Sequence, residues 1–383
     1  MKQKTTKTKN EKRPPIDPKV KLKLWVKSGG RCQYRNCNQI LFEDSLTFSY
    51  MNKSYIAHIY GYAPGSARYD AVESPKLEKN FSNLMLMCDG CHRKIDREEI
   101  KEHPASLLLE MKKEHEERIE YLTGIDGSFR TRLIVYNAKI GKFNPPVEMN
   151  SMRQILASKN YFPHKDVLYL GPENTVVEDN EGLYWDYESK SLETYFEKKI
   201  QPYLNSSGEH FSLFPFAPMP LLIKLGVLLG DKYKTDTYQY HREPQGWKWN
   251  DTSDFRDFTL LEPASKNGTA VLNISFSANI SEDRILDIFP DQETSIWKLT
   301  IDNPRLDFLK NAEILSKLRV AARHALGRIK EEHGHDKELH VFPAMPISAA
   351  VEFGRSWMPK VDLPLVLYDG RDKFIKTIEI KRN

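Results

Sequence analysis

The sequence predicts two domains, a smaller α+β domain followed by a larger α/β domain. With 383 residues the chain is too long for one ordinary hydrophobic core. All four cysteines lie within one 60-residue window near the N-terminus. From about residue 160 onward, short apolar strands alternate with helices, which is typical of an α/β domain. We therefore divide the chain into a basic tail, a first domain, a connector and a second domain, at residues 1–15, 16–125, 126–159 and 160–383.

The composition and the charge distribution narrow the possible functions. The sequence has no run of about 20 apolar residues, so no membrane-spanning helix is expected. The basic N-terminus lacks the apolar segment of a secretory signal, which predicts a cytoplasmic protein. Residues 1–35 carry 12 lysines and arginines against Glu11 and Asp17. This excess predicts a polyanionic partner such as nucleic acid, although a disordered, solubilising tail explains residues 1–15 equally well.

Three elements of the first domain follow from local patterns. Asp17 and Pro18 are typical of a helix start, and Gly29 and Gly30 of its end. Residues 55–60 have the composition of a strand. A helix is predicted over residues 106–122, where an apolar stripe recurs every three to four positions. The stripe consists of Leu108, Met111, His115, Ile119 and Leu122, so we interpret His115 as a packed core residue.

The cysteines form two close pairs. Cys32 and Cys37 are separated by four residues, Cys88 and Cys91 by two. Two short cysteine turns supply the four thiolates that a tetrahedral zinc ion binds at about 2.3 Å. Disulfides are not expected in a reducing cytoplasm, and free thiols or a redox couple remain the alternatives. The sequence therefore predicts a structural zinc site, which by itself indicates a small domain rather than catalysis.

Three polar residues between and after the cysteine pairs form a second pattern. His58 lies on the predicted strand, Asn83 opens an Asn-Leu-Met-Leu-Met segment before the second pair, and His92 follows that pair directly. This order and spacing resemble the HNH endonuclease family over residues 30–96. The resemblance implies a ββα fold around one catalytic metal ion. The first domain is then expected to be a ββα-metal nuclease with a structural zinc.

The resemblance also implies a role for each residue. His58 would be the general base, Asn83 would orient its imidazole, and His92 would help to hold a Mg²⁺ or Mn²⁺ ion. Many HNH enzymes have an acidic metal ligand just before the strand histidine, but this chain has Ala57 there. Asp96 stands four residues after His92, on the same helix face, and would replace that ligand. Bracing the loop is the other interpretation of Asp96.

Two arginines are candidates for contacts with the phosphates of a nucleic acid. Arg68 follows the predicted strand, and Arg93 follows His92. Guanidinium groups pair well with phosphate oxygens. Each is equally explained as an ordinary surface arginine.

The second domain contains a repeat. Residues 214–220, Phe-Pro-Phe-Ala-Pro-Met-Pro, resemble residues 341–346, Val-Phe-Pro-Ala-Met-Pro. Each stretch follows a predicted strand and precedes an apolar helix that contains a glycine, Gly226 or Gly354. If the similarity is not a chance likeness of proline-rich turns, the domain consists of two related α/β halves. Ligands bind such folds at the loops after the strands.

These stretches, together with Gly-Trp-Lys-Trp at residues 246–249, resemble the SAVED domain. That domain is similar to two fused CARF-like, Rossmann-like units and binds cyclic oligonucleotides, so the same is expected of residues 160–383. Aromatic residues stack on bases, and basic residues contact phosphates. The candidate ligand contacts are Trp247, Trp249, Ser348, Arg355 and Lys360. The two tryptophans are equally explained as core residues.

The order HNH then SAVED looks like the effector nuclease of bacterial CBASS anti-phage systems. The resemblance implies that a partner cyclase makes a cyclic dinucleotide on infection, and that this ligand drives assembly into a dimer or tetramer. The assembled nuclease would then degrade double-stranded DNA. Two other functions fit parts of the pattern. One is a modification-dependent HNH restriction endonuclease, and the other is a non-catalytic zinc-ribbon DNA-binding regulator.

Overall fold

The protein divides into two compact units, Met1–Ile125 and Asp126–Asn383. The computed structural model describes residues 15–43, 49–127, 129–140, 148–171, 182–204, 208–250, 257–370 and 373–382. The tail predicted at 1–15 lies outside these ranges except for residue 15. No helix within the described ranges is both long enough and apolar enough to cross a membrane.

The first helix of unit 1, α1, spans Pro18–Ser28 and begins and ends where its sequence predicts. The Asp17 side chain accepts a hydrogen bond from the backbone N–H of Lys19 at 2.7 Å, so it caps the first turn. Gly29 ends the helix with a φ of 60°, a left-handed conformation that glycine adopts without steric cost.

Two antiparallel strands and a following helix form the centre of unit 1. β1 spans Ser54–His58, and after the short helix α2, Glu73–Leu77, the chain returns as β2, Leu84–Cys88. β2 is buried at every position and leads directly into α3, Asp89–Arg93. A π-helical turn continues α3 to residue 98.

A long helix, α4, spans Ala105–Thr123 and packs against α1. His115 of α4 is buried, in agreement with its position in the predicted stripe. Its Nε2 lies 2.9 Å from the carbonyl oxygen of Ser28. Because a carbonyl only accepts, Nε2 carries the proton, and Nδ1 accepts from Arg118 at 3.1 Å. Burial lowers the pKa of His115, so the neutral ring ties α4 to the end of α1.

Unit 2 begins with a sheet of four parallel strands in the order β4-β3-β5-β6. The strands are β3 (Arg130–Asn137), β4 (Phe162–Leu170), β5 (His210–Phe216) and β6 (Lys234–Thr237). Its helices are α5 (Met149–Ser158), α6 (Gly182–Lys199), α7 (Gln201–Leu204) and α8 (Met219–Leu229). Residues 126–159 are therefore not a connector between domains. They contain an interior strand and a helix of this sheet, although the glycines and prolines around them are typical of a linker.

The second sheet of unit 2 has six strands in the order β14-β13-β12-β10-β11-β9. After the small hairpin of β7 (His241–Arg242) and β8 (Gln245–Gly246), the strands are β9 (Thr259–Leu261), β10 (Thr269–Ser275), β11 (Thr294–Thr300), β12 (Leu339–Ala344), β13 (Leu365–Asp369) and β14 (Ile375–Ile380). The four inner strands are parallel, and the edge strands β9 and β14 are antiparallel to their neighbours.

The helices of the second sheet are α9 (Glu282–Leu286), α10 (Glu313–His333) and α11 (Ile347–Ser356). The longest of them is α10. Phe308 and Leu309, shortly before its start, pack into the core, and the Asn311 side chain accepts a hydrogen bond from the backbone N–H of Glu313.

The two repeated stretches occupy equivalent places in the two sheets. Each belongs to a strand followed by a helix, β5 with α8 and β12 with α11. The two helices cross at a pair of glycines: a Cβ built on Gly354 would overlap the backbone oxygen of Ile223, and one built on Gly226 would overlap that of Val351. Glycine is required at this crossing because the two helix backbones touch. The apolar residues of the two sheets form one continuous core around it.

Candidate functional site

The four cysteines of unit 1 converge. Their sulfur atoms all lie within 4.8 Å of one another, and those of Cys37 and Cys88 are 3.9 Å apart. Tetrahedral zinc with bonds of about 2.3 Å would separate its sulfur ligands by about 3.8 Å. The backbone N–H of Cys88 points to the sulfur of Cys32, and that of Cys91 to the sulfur of Cys88, which stabilises thiolates. The donor set and its spacing fit zinc.

Crowding shifts the proton affinities of these thiols in opposite directions. A hydrogen bond from Cys91 lowers the pKa of Cys32 to about 6. Burial raises the pKa of Cys37 to about 11. A divalent cation would favour the thiolate form of all four, which couples metal binding to release of protons.

His58 is the last residue of β1, and its side chain is only 6% exposed. Its Nε2 lies 3.0 Å from the carbonyl oxygen of Glu78. Since the carbonyl can only accept, Nε2 is the donor, and the basic nitrogen of the neutral ring is Nδ1. The ring of Tyr62 lies 6.1 Å from the imidazole, centroid to centroid. Glu78, which directly follows α2, therefore fixes the tautomer of His58.

Asn83 stands immediately before β2 and acts on the backbone rather than on the imidazole. Its Oδ1 accepts from the N–H of Tyr60 at 2.6 Å, and its Nδ2 donates to the carbonyl of the same residue at 3.1 Å. Its backbone oxygen also accepts from the N–H of Ile59. The predicted contact with the His58 ring is thus replaced by a clamp on the two residues that follow His58.

His92 lies on α3 between an aromatic ring and a carboxylate. Tyr55 of β1 stacks on it with a centroid separation of 5.2 Å and an interplanar angle of 14°. His92 Nε2 is 3.3 Å from Asp96 Oδ2, which confirms that the two residues share a helix face. The other oxygen of Asp96 accepts from Arg68. Both carboxylate oxygens face protein donors, so the geometry favours Asp96 as a partner of His92 over the predicted role of open metal ligand.

Three other positions were considered for binding the metal or the phosphates, and the structure places them as follows. Ala57 is buried in the core and offers no ligand. The Arg68 side chain is 5% exposed, which contradicts a phosphate contact, whereas Arg93 is exposed and ion-paired with Asp89 at 2.9 Å. Within the described ranges, the cysteine quartet is the one group of three or more His, Cys, Asp or Glu side chains whose donor atoms come this close.

Of the five candidate ligand contacts in unit 2, Ser348 lies at the start of α11, and Trp247 and Trp249 belong to an apolar cluster that also includes Ile347, the first residue of that helix. Trp247 is 2% exposed and packs edge-on against Phe214 with centroids 5.2 Å apart, so it is a core residue. Trp249 is half-buried against His241. Ser348 is buried, and both its backbone N–H and its hydroxyl donate to Gln239 Oε1. Among the residues that the structure describes, the two indole N–H groups have no hydrogen-bond partner.

The other two candidates lie at the opposite end of α11. Ser348 and Arg355 lie seven positions apart along α11, about 10 Å. The Arg355 guanidinium is enclosed and donates to the carbonyls of Gly230, Tyr233 and Thr235, and to Glu352 Oε1 at 2.9 Å. Lys360 follows in an exposed turn. The structure thus assigns Arg355 to the contact between the two halves of unit 2 rather than to a ligand.

Replacing Arg355 with lysine is expected to lower the free energy of unfolding of unit 2 by about 2 kcal/mol. An ammonium group cannot reach three carbonyls and a carboxylate at once, and each buried acceptor left without a partner costs about 1–3 kcal/mol. Urea denaturation followed by the fluorescence of the unit 2 tryptophans measures the change. An unchanged unfolding midpoint combined with loss of ligand binding would show that Arg355 contacts the ligand instead.

Sequence reasoning missed three residues of these sites. Tyr55 stacks on His92, Gln239 binds Ser348, and Glu352 accepts from both Thr237 and Arg355. For Tyr55 the signal was its place on the predicted strand three residues before His58. The contacts of Gln239 with Ser348 and of Glu352 with Thr237 join residues more than 100 positions apart, and no local pattern marks them.

Comparisons with known proteins identify part of unit 2. No curated protein sequence matches the chain. The family model of the SAVED domain, described as a sensor domain associated with SMODS proteins and fused to various effectors, matches residues 192–380.

Solved structures with a similar chain path are Cap4 SAVED/CARF-domain containing receptors. That of Acinetobacter baumannii with the cyclic trinucleotide 2′3′3′-cAAA is 16% identical, with a TM-score of 0.41, over 81% of this chain and 61% of that one. The same receptor with 3′3′3′-cAAA is 13% identical, with a TM-score of 0.42 and the same coverage. The Moraxella osloensis receptor is 12% identical, with a TM-score of 0.37, over 74% and 63%. The chain spans about three fifths of the length of these structures. On the family match, residues 192–380 of this protein are a SAVED sensor domain.

Proposed function

We propose that the protein is a metal-dependent DNA endonuclease that a cyclic oligonucleotide switches on, in a CBASS-like anti-phage response. One observation carries the proposal: a chain with a SAVED sensor domain also places His58 at the end of β1, Asn83 immediately before β2 and His92 on α3, beside a four-cysteine site. A sensor domain implies an effector, and unit 1 supplies residues of the kind that hydrolyse phosphodiesters.

In this function His58 takes the proton from the attacking water. A neutral imidazole is a good base near pH 7, and the hydrogen bond to Glu78 leaves Nδ1 as its basic atom. Asn83 keeps the backbone after His58 in place, which holds the base at a fixed position.

His92 is the residue that would hold the catalytic Mg²⁺ or Mn²⁺, and this metal supplies the positive charge that the phosphate needs during cleavage. The ring of Tyr55 and the carboxylate of Asp96 hold the imidazole of His92 from two sides. The four cysteines would bind zinc and keep α3, which starts within the second pair, in register with β1 and β2.

The sensor half of the proposal concerns the start of α11. The half-buried Trp249 offers an aromatic face, which is suited to stacking on a base of the ligand. The ligand would have to bind the assembled dimer or tetramer more tightly than the resting chain, because only a difference in affinity shifts such an equilibrium. Two nuclease domains side by side would then cut both strands of DNA.

The test of the nuclease is the rate of plasmid cleavage by purified protein with Mg²⁺ and a panel of cyclic di- and trinucleotides. His58→Ala is expected to lower the rate at least about 100-fold, because a positioned general base contributes about that much or more. His335→Ala, which changes an exposed histidine of unit 2, serves as the matched control and keeps full activity. Equal cleavage by wild type and His58→Ala would refute the assigned base. Ligand-independent cutting at limited sites would favour a restriction enzyme instead.

A further inference from the structure

Arg68 joins the strand that ends in His58 to the helix that carries His92. Its side chain is almost completely enclosed. On one side its Nε donates to the carbonyl of Ile59 at 2.9 Å and its Nη2 reaches that of His58 at 3.3 Å. On the other side its Nη1 donates to the carbonyl of Ile95 and its Nη2 to the Asp96 carboxylate. One guanidinium therefore spans four acceptors on two elements.

The loop before Arg68 is folded so that this side chain points inward. The backbone N–H of Gly61 donates to the carbonyl of Arg68 at 3.3 Å, and a Cβ on Gly61 would overlap the carbonyl oxygen of Ala67. Arg68 itself has a φ of 56°, in the left-handed region that arginine seldom adopts. A strained backbone at a buried charge persists only where surrounding contacts hold it, and such positions concentrate at functional sites.

The contacts of Arg68 continue to the imidazole of His92. The oxygen of Asp96 that does not meet Arg68 lies 3.3 Å from His92 Nε2. A path of hydrogen bonds and ion pairs thus runs from the backbone of His58 through Arg68 and Asp96 to the ring of His92. A group that merely filled space could be apolar, since burying a guanidinium is costly unless its hydrogen bonds are made. The planar fork of arginine suits this task, and lysine cannot reproduce it.

We propose that Arg68 is a positioning residue, which sets the orientation of His92 relative to His58 through Asp96 without touching DNA. The inference rests on the nuclease function proposed above. In that reaction a displacement of about 1 Å between reacting groups costs about 100-fold in rate. Residues that orient a metal ligand commonly change metal affinity by about 10- to 100-fold when replaced.

The test compares Arg68→Lys and Asp96→Asn with wild type in the full-length protein. Arg153→Lys, at an exposed arginine of α5, is the matched control. Three quantities are measured: kcat and KM for cleavage of a DNA duplex, Mn²⁺ affinity from the electron paramagnetic resonance signal of free Mn²⁺, and zinc content. We expect kcat to fall about 10- to 100-fold with KM changed less than about twofold, and Mn²⁺ affinity to fall about 10-fold or more. Zinc content and the control stay unchanged.

Three outcomes overturn the inference. A raised KM with an unchanged kcat would make Arg68 a contact to the DNA phosphates. Unchanged kcat and unchanged Mn²⁺ affinity in both variants would show that the path through Asp96 positions nothing. Loss of zinc in Arg68→Lys together with wild-type kcat in Asp96→Asn would reduce Arg68 to a folding role. If wild type cuts no DNA, the proposed function fails, and the Mn²⁺ measurement still decides whether Arg68 organises the site around His92.

Discussion

Replacing Cys91 with serine is expected to unfold unit 1 at neutral pH while unit 2 stays folded. The four sulfur atoms lie within 4.8 Å of one another, close to the separations that one zinc ion requires. Cys88 ends β2, and Cys91 lies in the first turn of α3. Structural zinc in small domains contributes about 10–16 kcal/mol of apparent binding free energy, more than the stability of a typical domain. Zinc content by mass spectrometry and far-UV circular dichroism of the full-length variant measure the loss.

The control for this prediction is Cys91→His. Zinc accepts three cysteines and one histidine, so this variant keeps four ligands and should retain most of its zinc and its fold. Treatment of wild type with a strong zinc chelator should reproduce the serine variant. Wild-type protein that contains no zinc and yet resists unfolding would show that the four thiols are not a structural metal site.

Replacing Gly354 with alanine is expected to destabilise unit 2 by at least about 3 kcal/mol. The new Cβ would overlap the backbone oxygen of Ile223 and lie 3.0 Å from the Cα of Gly226. Backbone atoms cannot rotate away as a flexible side chain can, so α8 and α11 must move apart along their whole contact. Overpacking of this kind costs about 1–3 kcal/mol in an ordinary core and more where the neighbour is rigid. Urea denaturation of unit 2 measures the difference.

Gly327→Ala is the matched control for the helix crossing. Gly327 lies within α10, and a Cβ there meets no atom within 4 Å. Alanine should therefore stabilise unit 2 by about 0.5–1 kcal/mol, since glycine in a helix interior is unfavourable by that amount. If the two substitutions have effects of the same sign and size, the close crossing of α8 and α11 does not hold the two halves together.

Local sequence patterns predicted those features that depend only on residues close together in the sequence. Asp17 and Gly29 mark the ends of α1 because capping depends on residues within one turn. His58 and His92 could be found because their spacing from the cysteines forms a motif. His115 could be assigned to the core because its period matches one helix face.

Local patterns could not predict contacts between residues that are far apart in the sequence. Arg68 was predicted to be a phosphate contact or an ordinary surface arginine, and only the inward fold of its loop shows that it binds backbone carbonyls. Arg355 looked like a phosphate contact, yet it binds carbonyls more than 100 residues earlier. The strand at 130–137 was placed in a connector because linker-like residues surround it, and its membership of a sheet depends on pairing with β4 and β5.

We propose that ligand binding to the SAVED domain switches on DNA cleavage by unit 1. The most direct measurement is the cleavage rate of plasmid DNA at fixed protein and Mg²⁺ concentrations, with and without each cyclic di- or trinucleotide, alongside the molecular mass in solution by light scattering. We predict negligible cleavage without ligand, and rapid cleavage of both strands with one ligand, accompanied by a doubled or quadrupled mass. Cleavage at the same rate without any ligand, or ligand binding that leaves DNA intact, would show that the SAVED domain does not switch on a nuclease.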